Sequence, residues 1–79
     1  MSVRLAGDAV ILAGACGVED AEPLLALLQD APTRIVDIAQ VESLHTAVFQ
    51  VLLATRPPLR GRSPNPFVRD WLMPILSQG

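Results

Sequence analysis

The dipeptide Gly7-Asp8 constrains the fold of this 79-residue chain more than any other feature. Glycine reaches the positive φ that a two-residue hairpin turn needs. Before the turn, Val3 and Leu5 alternate with polar or small residues, and after it residues 9–13 form an unbroken apolar run. Such a run is typical of a strand that lies deep in a sheet. The sequence therefore predicts an N-terminal β-hairpin whose second strand is ended by residues 14–17.

The next segment changes to a helical period. Apolar residues recur at the spacing i, i+3, i+4 and i+7, which predicts a helix with one buried face. They are Ala21, Leu24, Leu25 and Leu28. Acidic residues precede this stripe at the positive end of the helix dipole, and Pro23 is tolerated in the first turn. The helix is expected to end at Asp30-Ala31-Pro32.

A strand is predicted over residues 33–38, which are short and rich in β-branched side chains. Because a helix separates this strand from the hairpin, the natural connection is a parallel crossover. The predicted sheet therefore contains residues 3–5, 9–13 and 34–38.

A second helix is predicted from Leu44 to Ala54, and it is apolar on two sides. The first face contains Leu44, Ala47, Val48, Val51, Leu52 and Thr55. The opposite face contains Thr46, Phe49, Gln50 and Leu53 at the same helical spacing. One helix cannot bury two opposite faces against the same sheet. We therefore expect Phe49 and Leu53 to be covered by a partner protein, by a second copy, or by Phe67 or Trp71 of the chain's own last helix.

The C-terminal third predicts a short edge strand and a final helix. Residues 59–62 form the strand, Asn65 is the expected N-cap, and Pro66 occupies the first helical position. Pro74 is expected to kink the last turn. The predicted buried stripe is Val68, Trp71, Leu72 and Ile75. The resulting order, β-β-α-β-α-(β)-α, predicts a single α/β domain over residues 1–79, with a small mixed β-sheet and helices packed on it.

Composition narrows the classes of function. The chain is 51% hydrophobic and 18% charged, which favours a folded domain, and its longest apolar run is far shorter than a membrane-spanning helix. Its net charge of -2 has the wrong sign for binding nucleic acid through the overall field. We therefore expect a protein that neither inserts into a membrane nor binds nucleic acid.

Residues with catalytic or metal-binding chemistry are sparse. A single cysteine, Cys16, can form neither an intrachain disulfide nor a CxxC metal half-site, and it fits a reducing compartment. The chain has no lysine, so a P-loop of the usual kind is excluded. Cys16 with His45 is the minimal set for a cysteine-dependent enzyme, but we expect the two side chains not to meet. No catalytic residue, cofactor or metal is therefore predicted.

Two short segments resemble the STAS domain, the fold of bacterial anti-sigma-factor antagonists. Residues 34–38 (Arg-Ile-Val-Asp-Ile) resemble the strand that ends near an acidic residue, and residues 44–48 (Leu-His-Thr-Ala-Val) resemble the motif that follows it at a helix start. The family motif has four positions. Asp is followed by Ser or Thr, the third position is Ser, Thr or Ala, and the fourth is Gly. In this sequence His45 replaces the Asp and Val48 replaces the Gly. The element order is similar over nearly the whole chain.

The resemblance implies a non-enzymatic module of the bacterial cytosol that regulates a partner protein by docking through the helix from Leu44 to Ala54. The implied partner is an anti-sigma, kinase-type regulator. The pair Thr46-Ala47 is similar to the Thr-Ala pair in the motif of the small STAS subunit of phospholipid-transport ATPases. This resemblance implies, as the alternative, an accessory subunit of such a complex. Thr46 matches the hydroxyl that is a phosphorylation site or a partner contact. The implied partner-binding residues are His45, Thr46, Phe49, Gln50 and Leu53.

Overall fold

A four-stranded mixed sheet carries the helices in the computed structural model, which describes residues 2–77. The elements are β1 (Val3–Ala6), β2 (Ala9–Cys16), a 3-10 turn (Val18–Asp20), α1 (Ala21–Asp30), β3 (Ile35–Leu44), α2 (Thr46–Thr55), β4 (Leu59–Arg60), a π-helical turn (Val68–Leu72) and α3 (Met73–Ser77). The strand order is β1-β2-β3-β4, with β1 antiparallel to β2 and the other two pairs parallel. The predicted α/β class with a mixed sheet is confirmed.

The N-terminal hairpin forms where the sequence predicts it. Ala6 pairs with Ala9, so the loop consists of Gly7-Asp8, and Gly7 has a φ of 60°. A glycine with positive φ at the first loop position is the pattern of a type II′ turn, which matches the twist of the flanking strands.

All three helical segments pack on one face of the sheet. The inward-facing strand residues Val10, Leu12, Val36 and Ile38 share one core with residues of the helices. The helical members are Leu24 and Leu28 of α1, Val48 and Leu52 of α2, and Val68, Met73 and Leu76 near the C terminus. The opposite face carries four residues that lie side by side across the four strands. They are Arg4, Ile11, Asp37 and Arg60.

Both central strands are longer than predicted. β2 continues to Cys16 instead of ending at residue 13, and β3 continues to Leu44, where the second helix was predicted to begin. The pairing passes from Ile11↔Asp37 to Ala13↔Gln40, so β3 has one extra residue at that point. A second shift separates the pairs of Gly14 and Ala15. Such bulges interrupt the two-residue alternation from which strands are predicted, although the strand itself continues.

A loop protects the part of β3 that β4 does not reach. β4 pairs only with Val36 and Asp37 of β3. Further along, Ser63 Oγ donates to the Val41 carbonyl at 2.6 Å, and Asn65 Nδ2 donates to the Glu42 carbonyl. Side chains thus satisfy carbonyl groups that another strand would otherwise pair with.

The buried stripe of the last helix differs from the predicted one. Asn65 Oδ1 accepts from the backbone N–H groups of Phe67 and Val68, so its predicted role as N-cap is confirmed. The Met73 N–H then bonds to the Val68 carbonyl, five residues back. This π-helical turn adds a residue to the repeat, and Met73 and Leu76 occupy the buried side. Trp71 and Ile75, predicted to be buried, are instead exposed, and Leu72 is half-buried.

We expect Gly61→Ala to destabilise the domain more than Gly7→Ala. Both glycines have positive φ, 87° and 60°, so each alanine adds backbone strain of about 1–2 kcal/mol. A Cβ on Gly61 would also lie 2.7 Å from the Ala39 Cβ, whereas nothing lies within 4 Å of one on Gly7. Overpacking of this kind adds about 1–3 kcal/mol. Urea unfolding measures both losses, and equal losses would show that the loop at Gly61 is not held against β3.

Candidate functional site

The start of α2 lies at the carboxyl ends of the two central parallel strands. Cys16, the last residue of β2, pairs with Leu44, the last residue of β3. The backbone N–H of His45 donates to the Cys16 carbonyl at 2.8 Å, which fixes the point where the chain leaves the sheet. In open sheets with parallel strands, ligands bind at the carboxyl ends of the strands. The predicted site residues His45 and Thr46 lie here.

His45 is the N-cap of α2. Its Nδ1 accepts a hydrogen bond from the Ala47 N–H at 3.0 Å, while its carbonyl accepts from Val48 and Phe49. This hydrogen bond holds the imidazole ring in one orientation. Capping residues with a side-chain acceptor satisfy an N–H group that has no partner inside the helix. His45 is therefore a structural start signal for α2 as well as an exposed side chain.

Thr46 is the first residue of α2, and its side chain is exposed. Gln50 follows one turn later and is also exposed. The first turn of α2 contains no acidic residue, so no side chain there offsets the positive end of the helix dipole. The structure thus presents a hydroxyl and an amide on one side of the helix, with the hydroxyl at the positive end of the helix dipole.

Phe49 and Leu53 are half-buried and pack against the core. Val48 and Leu52 form the fully buried side of α2, and Phe49 flanks that side one residue further along the chain. The sequence placed Phe49 and Leu53 on a face opposite the core. In the structure both side chains lie at the boundary between the core and solvent. Each covers part of the core and leaves part of its own surface exposed.

The side chains proposed to cover Phe49 and Leu53 from the last helix point largely into solvent. Phe67 is 60% exposed and Trp71 is 66% exposed. The side chains of the last helical segment that belong to the common core are Val68, Met73 and Leu76.

Cys16 lies in an environment that disfavours its thiolate. The side chain is only 2% exposed, and Sγ contacts the carbonyl oxygens of Ala13 and Gly14 at 3.8 and 3.9 Å. Burial, with a smaller effect of the Asp20 charge, raises the pKa of this thiol from 9.0 to about 11. Reactive cysteines have a lowered pKa and partial exposure. The backbones of Cys16 and His45 meet, but the imidazole Nδ1 is bonded to Ala47.

Asp37, the acidic residue of the STAS-like strand segment, does not join this site. Its carboxylate accepts from the Ala39 N–H at 2.9 Å at the bulge of β3, and it pairs with Arg60 at 2.8 Å. The Ala39 hydrogen bond, followed by that of Arg60, lowers the pKa of this carboxyl. Asp37 therefore ties β3 to β4 and holds the bulge.

Val18 is a surface residue near the site that the sequence reasoning missed. It belongs to the 3-10 turn, which packs against α2, and its side chain is 59% exposed. In the sequence, Val18 is an apolar residue between Gly17 and Glu19, within a segment predicted only as the acidic start of α1.

Comparison with known protein families and with curated proteins finds no match to this chain. Within residues 2–77, no three histidine, cysteine or acidic side chains are grouped as metal ligands are. No helix in that range is long and apolar enough to cross a bilayer. The candidate site is defined by the capped start of α2 and by the surface from Thr46 to Leu53.

We expect stability to fall between pH 9 and pH 11 because of Cys16. The folded state holds the pKa of the thiol near 11, so the unfolded chain loses this proton first as pH rises. The free energy of unfolding then decreases by at most about 1.4 kcal/mol per pH unit. The chain has neither lysine nor tyrosine, so Cys16 is the one side chain that titrates in this window.

Urea unfolding of wild type and Cys16→Ala at pH 8, 9, 10 and 11 measures this effect. The variant is expected to be less stable at pH 8, because it lacks the buried sulfur, but flat with pH. A variant that loses stability as steeply as wild type would show that the thiol is not the titrating group.

Proposed function

We propose that this chain is a STAS-like, non-enzymatic interaction module of the bacterial cytosol that regulates a partner protein, in the manner of an anti-sigma-factor antagonist. One observation carries the proposal: an exposed threonine begins α2 at the carboxyl end of the parallel pair β2 and β3. The order of elements and of strands supports the same fold assignment. Docking is assigned to α2, within the segment from Leu44 to Ala54, with His45, Thr46, Phe49, Gln50 and Leu53 as contacts.

The two departures from the STAS motif are compatible with this role. An aspartate at the position of His45 would cap the helix through a side-chain oxygen, and His45 caps it through Nδ1. A glycine at the position of Val48 would leave space, whereas Val48 is fully buried and fills the core beneath α2. Both replacements therefore preserve the start of the helix and leave Thr46 exposed.

The chemistry of the surface favours a protein partner. Two polar side chains, Thr46 and Gln50, lie beside the partly exposed apolar groups of Phe49 and Leu53. Interfaces commonly combine an apolar centre containing an aromatic residue with a polar rim. The buried thiol of Cys16 and its raised pKa oppose the alternative of a cysteine-dependent enzyme.

A second candidate is a stable accessory subunit of a transport ATPase. Ala47 stands where antagonists regulated at the second hydroxyl position carry serine or threonine, and it leaves Thr46 as the one hydroxyl of the motif. The Thr-Ala pair is the form that resembles the ATPase subunit. In this version the same α2 surface forms a lasting contact, and phosphorylation is not required.

Affinity purification of the tagged chain from its host, followed by mass spectrometry, separates the two candidates. Recovery of a kinase-type regulator supports the first, and recovery of an ATPase subunit supports the second. In each case binding must be reproduced with the purified partner. Failure of both kinds of partner to bind would reject the proposed function.

We expect Thr46→Glu to weaken partner binding about tenfold or more while the fold stays intact. A negative charge in the first turn is tolerated by the helix dipole, but it opposes docking of an apolar surface beside Phe49 and Leu53. Thr46→Val removes the hydroxyl without adding charge, and Ala26→Glu adds the charge on an exposed position of α1. Titration calorimetry compares the three, and equal affinity of wild type and Thr46→Glu would reject a charge switch.

We expect Phe49→Ala to reduce binding more than it reduces stability. The side chain is half-buried, so the loss of folding free energy is about 1–2 kcal/mol, below the 3–5 typical of a fully buried phenylalanine. The loss of binding free energy is about 2 kcal/mol or more if Phe49 anchors the interface. Val51→Ala is the matched control, because Val51 is also half-buried and packs against the core.

Thermal melts and binding titrations of Phe49→Ala, Leu53→Ala and Val51→Ala separate the two effects. The interface assignment requires weaker binding in the first two variants and unchanged binding in the third. A collapse of the melting temperature in Phe49→Ala and Leu53→Ala, with no specific loss of affinity, would assign both side chains to the core.

A further inference from the structure

A cavity of about 250 Å³ lies between β4 and the last helical segment. Liquid water occupies about 30 Å³ per molecule, so the cavity has room for about eight groups of that size. We call it the β4 cavity. Within residues 2–77 it is lined by Ile38, Leu59, Gly61, Arg62, Arg69 and Met73.

The inner part of the β4 cavity is apolar. Ile38 is 2% exposed, Met73 is 9% exposed, and Leu59 is half-buried. An apolar group that enters the cavity leaves water and contacts these three side chains, which stabilises it there. An apolar lining with a few polar groups at defined positions is typical of sites for small molecules.

Two guanidinium groups lie at the outer part of the β4 cavity. Arg62 is exposed, and the Arg69 side chain is 33% exposed. Both neighbours of Arg62 are held against β3, Gly61 by close backbone approach and Ser63 by a hydrogen bond to a β3 carbonyl. Arg69 lies in the π-helical turn, four residues before Met73, so the two share one side of the helical segment. A loop and a helix thus bring two cations to one cavity.

Both arginines keep hydrogen-bond donors for a ligand. Arg69 donates to Asp70 through Nε at 3.0 Å and Nη2 at 3.3 Å, so its Nη1 takes no part in that pair. A guanidinium has five N–H donors. Arg62 makes no hydrogen bond within residues 2–77, and its charge acts on Asp70. The Asp70 pair therefore orients Arg69 and leaves its other edge, together with Arg62, for an acceptor.

The charge at the mouth of the β4 cavity suits a ligand with one negative charge. Two arginines and Asp70 give a net charge of +1. The hydrogen bond from Arg69 lowers the pKa of Asp70, and the charges of Arg69 and Arg62 act in the same direction, so Asp70 stays ionised at neutral pH. Arg60 is paired with Asp37 on the other face of the sheet. A second negative charge on a ligand would meet repulsion from Asp70.

We propose that the β4 cavity binds a small monocarboxylate with an aliphatic tail, of about eight non-hydrogen atoms. The tail contacts Ile38, Leu59 and Met73, and the carboxylate accepts hydrogen bonds from Arg62 and Arg69. Hydrogen bonds between guanidinium and carboxylate groups are charge-assisted and are stronger than those between neutral groups. None of these residues belongs to the proposed docking surface of α2, so either proposal stands if the other fails.

Hexanoate has the required size and is the probe. Amide chemical shifts of the ¹⁵N-labelled chain are recorded with hexanoate up to about 20 mM at fixed ionic strength and about pH 8. Saturable shifts are expected at Leu59, Gly61 and Met73, with a dissociation constant of about 1 mM or below. Each buried methylene contributes roughly fourfold in affinity, so butyrate is expected to bind about tenfold more weakly. No saturation, or shifts only at other residues, overturns the proposal.

Two further probes test the charge. Hexanol has the same tail without the carboxylate and is expected to bind at least tenfold more weakly than hexanoate. Hexyl phosphate carries close to two negative charges at about pH 8 and is expected to bind no more tightly than hexanoate. Hexanol that binds as tightly as hexanoate overturns the role of the arginines. Hexyl phosphate that binds more tightly overturns the choice of a monocarboxylate.

An arginine variant locates the carboxylate. Arg62→Gln is expected to weaken hexanoate binding at least tenfold and to leave hexanol binding unchanged. Arg4→Gln is the matched control, because Arg4 is also exposed but lies on β1, at the opposite edge of the sheet. Melting curves confirm that both variants fold. Equal losses in the two variants would show that hexanoate responds to the overall charge and not to the β4 cavity, which overturns the assignment.

Asp70→Asn tests the preference for a single charge. The substitution raises the net charge at the mouth from +1 to +2. The affinity for hexyl phosphate is therefore expected to rise at least fivefold relative to that for hexanoate. The ratio of the two affinities is the readout, because a general loss of structure would weaken both ligands alike. An unchanged ratio overturns the role of Asp70 in selecting a monocarboxylate.

Discussion

The parallel pairing of β2 with β3 is the interaction on which the rest of this structure depends. These strands lie in the middle of the sheet, and their inward side chains Val10, Leu12, Val36 and Ile38 form the floor of the core. A parallel pair requires a long crossover, and α1 supplies it. Because the pairing continues to Cys16 and Leu44, it also determines where α2 begins. A small domain buries little surface, so the central pair cannot be shortened without loss of both the core and the site.

The outer parts of the sheet are protected by side chains more than by strands. β4 is two residues long, and beyond it Ser63 and Asn65 bond to carbonyl groups of β3.

Arg56 joins the end of α2 to the last helix. It takes a left-handed conformation with φ of 48° before Pro57, and its guanidinium donates to the carbonyls of Ile75 and Leu76. A cation at the end of a helix satisfies carbonyl groups without partners and opposes the negative end of the dipole. One strained residue thus fastens the last helix to α2.

The way in which each helix fills the core determines which of its side chains stay on the surface. α2 buries Val48 and Leu52 and leaves Phe49 and Leu53 at the boundary with solvent, next to the exposed Thr46 and Gln50. The last helix buries Val68, Met73 and Leu76 and leaves Phe67, Trp71 and Ile75 outside. Both surfaces follow from packing against the same face of one small sheet.

Local signals in the sequence determined the hairpin, the type of each main element and several boundaries. A glycine at a two-residue turn, Asn65 before Pro66 and the period of Leu24 and Leu28 depend on interactions within a few residues, so they can be predicted from a short window. His45 and Thr46 at the start of α2 were also predicted, although His45 as the N-cap was not, since β3 was expected to end earlier.

Only the tertiary structure decided the length of β3, the placement of Phe49 and Leu53, and the exposure of Trp71 and Ile75. The bulge at Asp37 is stabilised by pairing with β2 and by Arg60, which is 23 residues away. The five-residue spacing of Val68 and Met73 reflects the space left in a core built by distant elements. A pattern of apolar residues specifies a period, but one extra residue in a strand or a helical turn changes the face that follows. Such insertions are stabilised by contacts that no local window contains.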